Sequence, residues 1–390
     1  MKRTLLTLLT LTALVSACKK ETYRPIDTVN CTTDYSTHPR HQEFQAILDE
    51  YAKNGITGLT VILSSPEDGY WEGSAGYASI EDNIPMTPCH LHHTASMAKS
   101  FTGVVTLQLI DEGKLALDSP VADYIDHAFH SYIPNLEQLT VKHLLQQTSG
   151  IPEVFDLPFF ETLMNDPEAT YTNEDFIRMI EGMPAMFAPD AQHFYSDLNY
   201  TLLILIINRI EGDHKKAFQE RIFTPLGLND MYYHNGAYPE PEGLVSSYWD
   251  QYNNGQIENV SELQIRMTQY IEGSDGIISS AADMFKFYEA VFNGELTSSD
   301  HLVMLLTDWV AETDENRMNT GYSHGFMTVS EDDGNWIGHA GSHIGSSCYV
   351  FQNTTTKETI GVFTNTGVHF FLEKKGLIYY YLWNDLRKAL

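Results

Sequence analysis

Basic residues are scarce in this sequence: 23 Lys plus Arg stand against 52 Asp plus Glu in 390 residues, a formal charge of -29. That deficit excludes nucleic acid as a partner, because holding a phosphate backbone requires clustered cations. The surplus acid reads as solubility and mutual repulsion at the surface, and an acidic substrate would need a local cationic site. Extended disorder is excluded as well, since 43% of the residues are hydrophobic, 12% aromatic and only 19% charged. Internal repeats and low-complexity blocks are missing. Cysteine is rare, with four residues (Cys18, Cys31, Cys89 and Cys348) and no Cys-x-x-Cys pair, which speaks against a structural zinc site.

Residues 1–18, MKRTLLTLLTLTALVSAC, place Lys2 and Arg3 before an uncharged apolar run that ends in small residues, the layout of a secretory signal and too short to cross a bilayer. Val15-Ser16-Ala17-Cys18 resembles a bacterial lipobox, which implies cleavage before Cys18, lipidation of its thiol, and an exported chain attached to a bacterial membrane by its lipid alone, in the periplasm or at the cell surface. An ordinary cleaved signal is the rival reading. In such a compartment one disulfide can form among Cys31, Cys89 and Cys348, and spacing does not choose the pair. Residues 19–40 lack apolar periodicity and read as a tether, so a single folded domain is expected over 41–390.

Phe44, Ile47, Leu48 and Tyr51 recur at helical spacing before Gly55, a first amphipathic helix. Two β-rich stretches follow, 57–65 and 70–79, around the turn residues Pro66-Glu67-Asp68-Gly69. A second β-rich set closes the chain, before a helical stretch at roughly 371–388. Helical patterns fill the middle: 96–112, 140–147, 173–181, 198–211, 281–292 and 299–310. This order predicts an α/β (α+β) fold, an antiparallel sheet formed from both termini (about 41–95 and 312–390) and flanked by helices, with a mostly helical inserted part at about 96–311.

The chemistry centres on Ser96-Met97-Ala98-Lys99, which leads into an apolar helix. Lys99 lies one turn beyond Ser96 on the same face, within reach of its hydroxyl proton. A desolvated lysine activates a serine, and backbone N–H groups at a helix start favour the negative charge that develops. Ser-x-x-Lys alone is weak, because Ser16-Ala17-Cys18-Lys19 matches it too, and an N-cap serine beside a solvated lysine is the plain alternative.

Further motifs follow in order. LTVKHLLQQTSGIPE (139–153), HFYSDLNYTLLILIINRIEG (193–212), SDGIISSAADMFKF (274–287) and GHAGSHIG (338–345) together resemble the serine β-lactamase and penicillin-binding family. The similarity is to the branch of class C β-lactamases, D-alanyl-D-alanine carboxypeptidases and related esterases. Tyr171-Thr172-Asn173 and Tyr252-Asn253-Asn254 fit a Tyr-x-Asn motif more literally than Tyr195-Ser196-Asp197, but the first reads as helix capping and the second as a turn. The resemblance implies Ser96 as the acylated nucleophile, Lys99 and Tyr195 as proton-transfer groups, and an oxyanion hole from the backbone N–H groups of Ser96 and Ser342. It also implies Gly341, Asp197 and His339 at the substrate. Asp197 stands where Asn is usual, and an anion there favours charged Lys99. His339 stands where Lys is usual, so carboxylate recognition should weaken or depend on pH. Gly341 is expected to leave room for the acyl group, and Asp275 takes a place usually held by Gly.

His90-Leu91-His92-His93 invites a metal reading, but no Asp-His follows as metallohydrolases require, so no metal and no organic cofactor is expected. The expectation is a serine hydrolase acting through an acyl-enzyme on a small-molecule or peptide substrate. A D-Ala-D-Ala carboxypeptidase, a peptidase of peptidoglycan stem peptides or an esterase comes first, with a class C-like β-lactamase and a non-catalytic ligand or cell-wall sensor as alternatives. Oligomeric state is not readable from the sequence.

Overall fold

The computed structural model describes residues 29–390 apart from 156, 167–168, 234–240, 251–253, 269, 313–318 and 368–371. Cys18 and the Ser16–Lys19 match therefore lie outside the described residues. No described helix is long and apolar enough to cross a membrane.

Nine strands form one antiparallel sheet whose order interleaves the two ends of the chain: 84–85, 69–79, 58–65, 359–364, 347–353, 334–342, 326–331, 321–323 and 310–311. The junction is central, with Val61 opposite Val362 and Leu63 opposite Ile360, and both strands are apolar along most of their length because both faces are covered. His41–Lys53 and Leu372–Ala389 pack together near one end, where Trp71 meets Phe44 and Trp336 meets Trp383. Ala281–Phe292 crosses the central strands.

Behind the sheet runs Ala98–Asp111, in which every residue from Ala98 to Leu107 is buried. Its polar side chains are there because each finds a carbonyl: Ser100 donates to Gly325 O (2.7 Å), Thr102 to Gly273 O (2.7 Å) and Thr106 to Thr102 O (2.7 Å).

Several expectations shift. The part at 96–311 carries strands as well as helices, since Met231–Tyr233 and Leu91–His93 flank Ile277–Ser280 in a second, small sheet and 310–311 joins the main one. Short helices at Leu157–Asn165 and Ser261–Thr268 add to the six expected in the middle of the chain. The stretch read as tether is fastened from Cys31 onward. Cys31 is bridged to Cys89, the Tyr35 ring lies 5.3 Å from that of Tyr70, and Arg40 pairs with Asp68 at 2.9 Å. A covalent anchor and an aromatic contact hold a segment that has no periodicity of its own.

Candidate active site

Between the strand ending at His93 and the helix starting at Ala98, Ala95 turns the chain with φ of 48° and Ser96 sits in the middle of a short 3-10 turn. Such a left-handed residue stores strain, and a small side chain keeps the cost low. Lys99 comes one turn later, fully buried. Its Nζ donates to Ser96 Oγ at 3.0 Å and to the Ser274 carbonyl at 3.2 Å, and it is in ion-pair contact with Asp197. The same ammonium lies 4.8 Å from the Tyr195 ring centre and 5.8 Å from that of Tyr200. Serine, lysine, tyrosine and aspartate from two sequence motifs, with the Ser274 carbonyl from a third, thus converge on one point.

Asp197 opens the helix Asp197–Glu211, where the helix dipole favours an anion. Its N–H donates to Glu153 Oε2 at 2.6 Å, while Glu153 Oε1 accepts from Val154 and Phe155 N–H at 2.6 and 2.7 Å. Burial, and then the charge of Asp197, push the Glu153 carboxyl above its ordinary range. Glu153 ends the motif 139–153, whose sequence gives no sign of this role. Gln147, where His is common in the resemblance, uses Oε1 to accept Ser196 N–H at 3.0 Å and also contacts Asn199, so it pins the turn that presents Tyr195 and Asp197.

A buried polar chain stands behind Tyr195. Tyr200 donates to the Leu145 carbonyl (3.1 Å), Tyr322 donates to Tyr200 (3.2 Å), and His339 Nε2 lies 3.3 Å from the Tyr322 hydroxyl. Burial pushes the phenols of Tyr200 and Tyr322 well up. Tyr322 had no motif to announce it. His339 corrects an expectation: placed at the substrate by the resemblance, it is fully buried behind Tyr195 and does not line the cavity. It shares a face of the strand with Gly341, which lines the cavity, so it is the Tyr322 hydroxyl against its Nε2 and the Tyr195 ring beside it, not the alternation, that keep its ring from the opening.

Gly341 is needed for a more local reason than room for an acyl group. A Cβ there would lie 2.1 Å from the Thr94 carbonyl and 3.1 Å from Ser96 N, so the bare backbone lets the strand Gly334–Ser342 press against the nucleophile turn. Ser96 and Ser342 both line a cavity of about 340 Å³. Its polar rim includes Glu153, Asp197 and Asp275, and its apolar wall includes Phe155, Met267 and Ile271. No Lys or Arg side chain lines it among the described residues.

The histidine cluster goes elsewhere. His92 is buried with its ring 5.8 Å from Phe363, and burial holds it down at about 3. Among the described residues no three His, Cys, Asp or Glu side chains converge as metal ligands.

The family model described as Beta-lactamase matches residues 44–378. The chain belongs to the beta-lactamase family. This beta-lactamase-family chain is 26% identical over 344 residues to Penicillin-binding protein 4* of Bacillus subtilis, a match covering 83% of the chain and 70% of that protein. It is 29% identical over 194 residues to Protein flp of Staphylococcus aureus, covering 49% of the chain but only 38% of that longer relative. Among solved structures, D-amino acid amidase from Ochrobactrum anthropi SV3, complexed with L-phenylalanine amide, superposes with a TM-score of 0.78 at 22% identity, over 90% of this chain and 99% of that one. At that identity the likeness bears on the fold, an antiparallel sheet flanked by helices. Membership makes this beta-lactamase-family chain an enzyme of the serine hydrolase type.

Proposed function

We propose that the protein hydrolyses an amide whose carbonyl lies next to an ammonium group, as in a D-aminoacyl amide or the free N-terminus of a short D-peptide. In this reading Ser96 Oγ attacks the carbonyl as Lys99 takes its proton. The N–H groups of Ser96 and Ser342 receive the oxyanion. Tyr195, beside the Lys99 charge, hands its proton to the departing amine as the C–N bond breaks and takes the serine's proton from Lys99 in exchange. Water then cleaves the ester on Ser96 and restores the hydroxyl.

The observation that carries the substrate class is the rim of the cavity: the partly exposed Asp197 carboxylate lies on it, and no Lys or Arg side chain lines it among the described residues. An ammonium next to the scissile bond gains from Asp197, whereas a substrate carboxylate finds no Lys or Arg on the lining to pair with. The name of the structural relative from Ochrobactrum anthropi supplies the stereochemical class. A D-Ala-D-Ala carboxypeptidase or a β-lactamase must hold a substrate carboxylate, and His339, the residue in the usual cation position, is turned behind Tyr195. The lipobox-like Val15–Cys18 and the Cys31–Cys89 bridge support an exported, lipid-anchored form, tested by the mass of the mature N-terminus.

The test is a panel of D- and L-aminoacyl amides with free and acetylated amines, D-Ala-D-Ala peptides, nitrocefin and p-nitrophenyl esters, run on wild type and Ser96→Ala. Free D-aminoacyl amides should exceed their acetylated forms by at least about ten-fold in kcat/KM, with no turnover by Ser96→Ala. Equal rates on acetylated amides, or a preference for carboxylate-bearing peptides, would return the site to the carboxypeptidase reading. No adduct on Ser96 with any fluorophosphonate or penicillin probe would favour a ligand sensor.

A further inference from the structure

The wall of the cavity holds an Asp–His pair that the acyl-transfer chemistry does not use. Asp275 and His343 are both almost fully buried, with Asp275 Oδ2 3.2 Å from His343 Nε2. The pair is fixed at both ends. Asp275 Oδ1 accepts the N–H of Gly276 at 2.6 Å. On the other side, Gln264 Oε1 accepts the Gly345 N–H at 2.9 Å and lies 3.1 Å from His343 Nδ1. Because a backbone N–H can only donate, that contact sets the Gln264 oxygen toward the ring, so an acceptor oxygen lies within 3.2 Å of each ring nitrogen. A Cβ on Gly345 would lie 2.4 Å from Ser247 Cβ and 3.2 Å from Gln264 Oε1, so the loop is also tightly seated there.

The place of the pair in the chain gives it a purpose. His343 follows Ser342, whose N–H is assigned to the oxyanion, and Asp275 follows Ser274, whose carbonyl accepts a hydrogen bond from Lys99 Nζ. We propose that His343 and Asp275 form a positioning pair that holds the Ser342 N–H and the Ser274 carbonyl at a fixed separation across the cavity. The inference rests on the acyl-transfer reading above. Asp275 occupies a motif position where the sequence resemblance has Gly, so a residue with no side chain has given way to a strut. A buried polar pair gains little net stability after desolvation, and such pairs serve in some proteins to select one geometry. Here that geometry belongs to the oxyanion donor and to the residue that holds the lysine.

The test reads fluorophosphonate labelling of Ser96, whose tetrahedral adduct places an oxygen where the oxyanion would form. Wild type, Ser96→Ala, Asp275→Asn, His343→Gln, His343→Lys and the Asp275→Asn/His343→Gln double variant are compared for kinact and KI. Each single neutral variant should lower kinact by about 10- to 100-fold with KI within about two-fold. The double variant should be no slower than the slower single, and His343→Lys, which puts a donor opposite Asp275, should recover part of the loss. Wild-type kinact in folded Asp275→Asn or His343→Gln, or losses that multiply in the double variant, would overturn the positioning role. A variant that misfolds is replaced in that comparison by the other single variant, since either one breaks the pair. Labelling of wild type that persists in Ser96→Ala overturns the acyl-transfer reading and this inference with it. Ser96-dependent labelling indifferent to residues 275 and 343 overturns the inference alone.

Discussion

Replacing Asp197 by Asn tests the charge logic of the site directly. The Lys99 ammonium has no solvent exposure and touches the Asp197 carboxylate, whose side chain is 20% exposed. To accept the Ser96 proton, Lys99 must first be neutral, and every favourable contact with an anion raises the cost of that state. Two unit charges about 4 Å apart in a medium of effective permittivity near 20 interact by about 4 kcal/mol, an upper figure that partial exposure of Asp197 reduces. At about 1.4 kcal/mol per factor of ten, even a third of that attraction should appear as a rise in kcat/KM of about ten-fold in the substituted enzyme. Glu153 supplies the control. It is held above its ordinary range by burial and by Asp197, so in Asp197→Asn it ionises more readily and returns part of the lost negative field. Asp197→Asn/Glu153→Gln should therefore rise further than Asp197→Asn alone. The assay is kcat/KM on the preferred substrate at neutral pH, and values within about two-fold of wild type in both variants refute the argument.

Gly341→Ala should slow labelling of Ser96 by about 10²- to 10³-fold and lower stability by about 1–3 kcal/mol, because a Cβ placed 2.1 Å from the Thr94 carbonyl forces the strand off the nucleophile turn; a wild-type labelling rate would show that the strand relaxes at no cost. Tyr322→Phe should lower the unfolding free energy by about 1–3 kcal/mol, since Tyr200 and His339 lose a buried partner, yet leave KM unchanged because Tyr322 does not line the cavity; denaturant titration and steady-state kinetics read the two halves. His92→Phe should blunt acid sensitivity. His92 is held at about 3, and His214 and His324 at about 4, against about 6.5 unfolded, so below pH 6.5 the unfolded chain binds protons that the folded one refuses and stability falls by about 1.4 kcal/mol per unit for each. Glu72, raised to about 7 by burial, acts in the opposite sense: the folded protein gains from its proton as pH falls from 7 toward 4.5. Urea unfolding at pH 6.5, 5.5 and 4.5 should show a slope smaller by about one proton in His92→Phe, and an unchanged slope sinks the account.

Segments whose own residues settle their structure were legible. Ala281–Phe292 matches the expected helix at both ends because Ser280 caps it by accepting Asp283 N–H, and the hairpin 58–79 follows from its turn. Thr172 and Asp175 form the capping box that ruled out Tyr171–Asn173 as a catalytic motif. Ser96, Lys99, Tyr195 and Asp197 could be named because the order of motifs brings them together. What the sequence did not carry is direction. His339 sits in the strand where the resemblance placed it, and only the packing of Tyr322 and Tyr195 against it decides that its ring is held out of the cavity. Glu153, Tyr322 and the His343–Asp275 pair stayed invisible for a related reason: each acts through a partner far away in the chain, and no local pattern encodes such a meeting.

The seam between the 58–65 and 359–364 strands also sets a timetable for synthesis. The N-terminal hairpin leaves the ribosome with one edge of its inner strand open, and the strand that closes it follows roughly 300 residues later. At about 5–20 residues per second that edge waits on the order of 15–60 s, apolar on both faces and able to pair with any passing strand. A chain cut short anywhere before residue 359 would keep that edge open for good. Truncated products should therefore aggregate through the hairpin, and the last strand to be made is the one that makes the molecule safe.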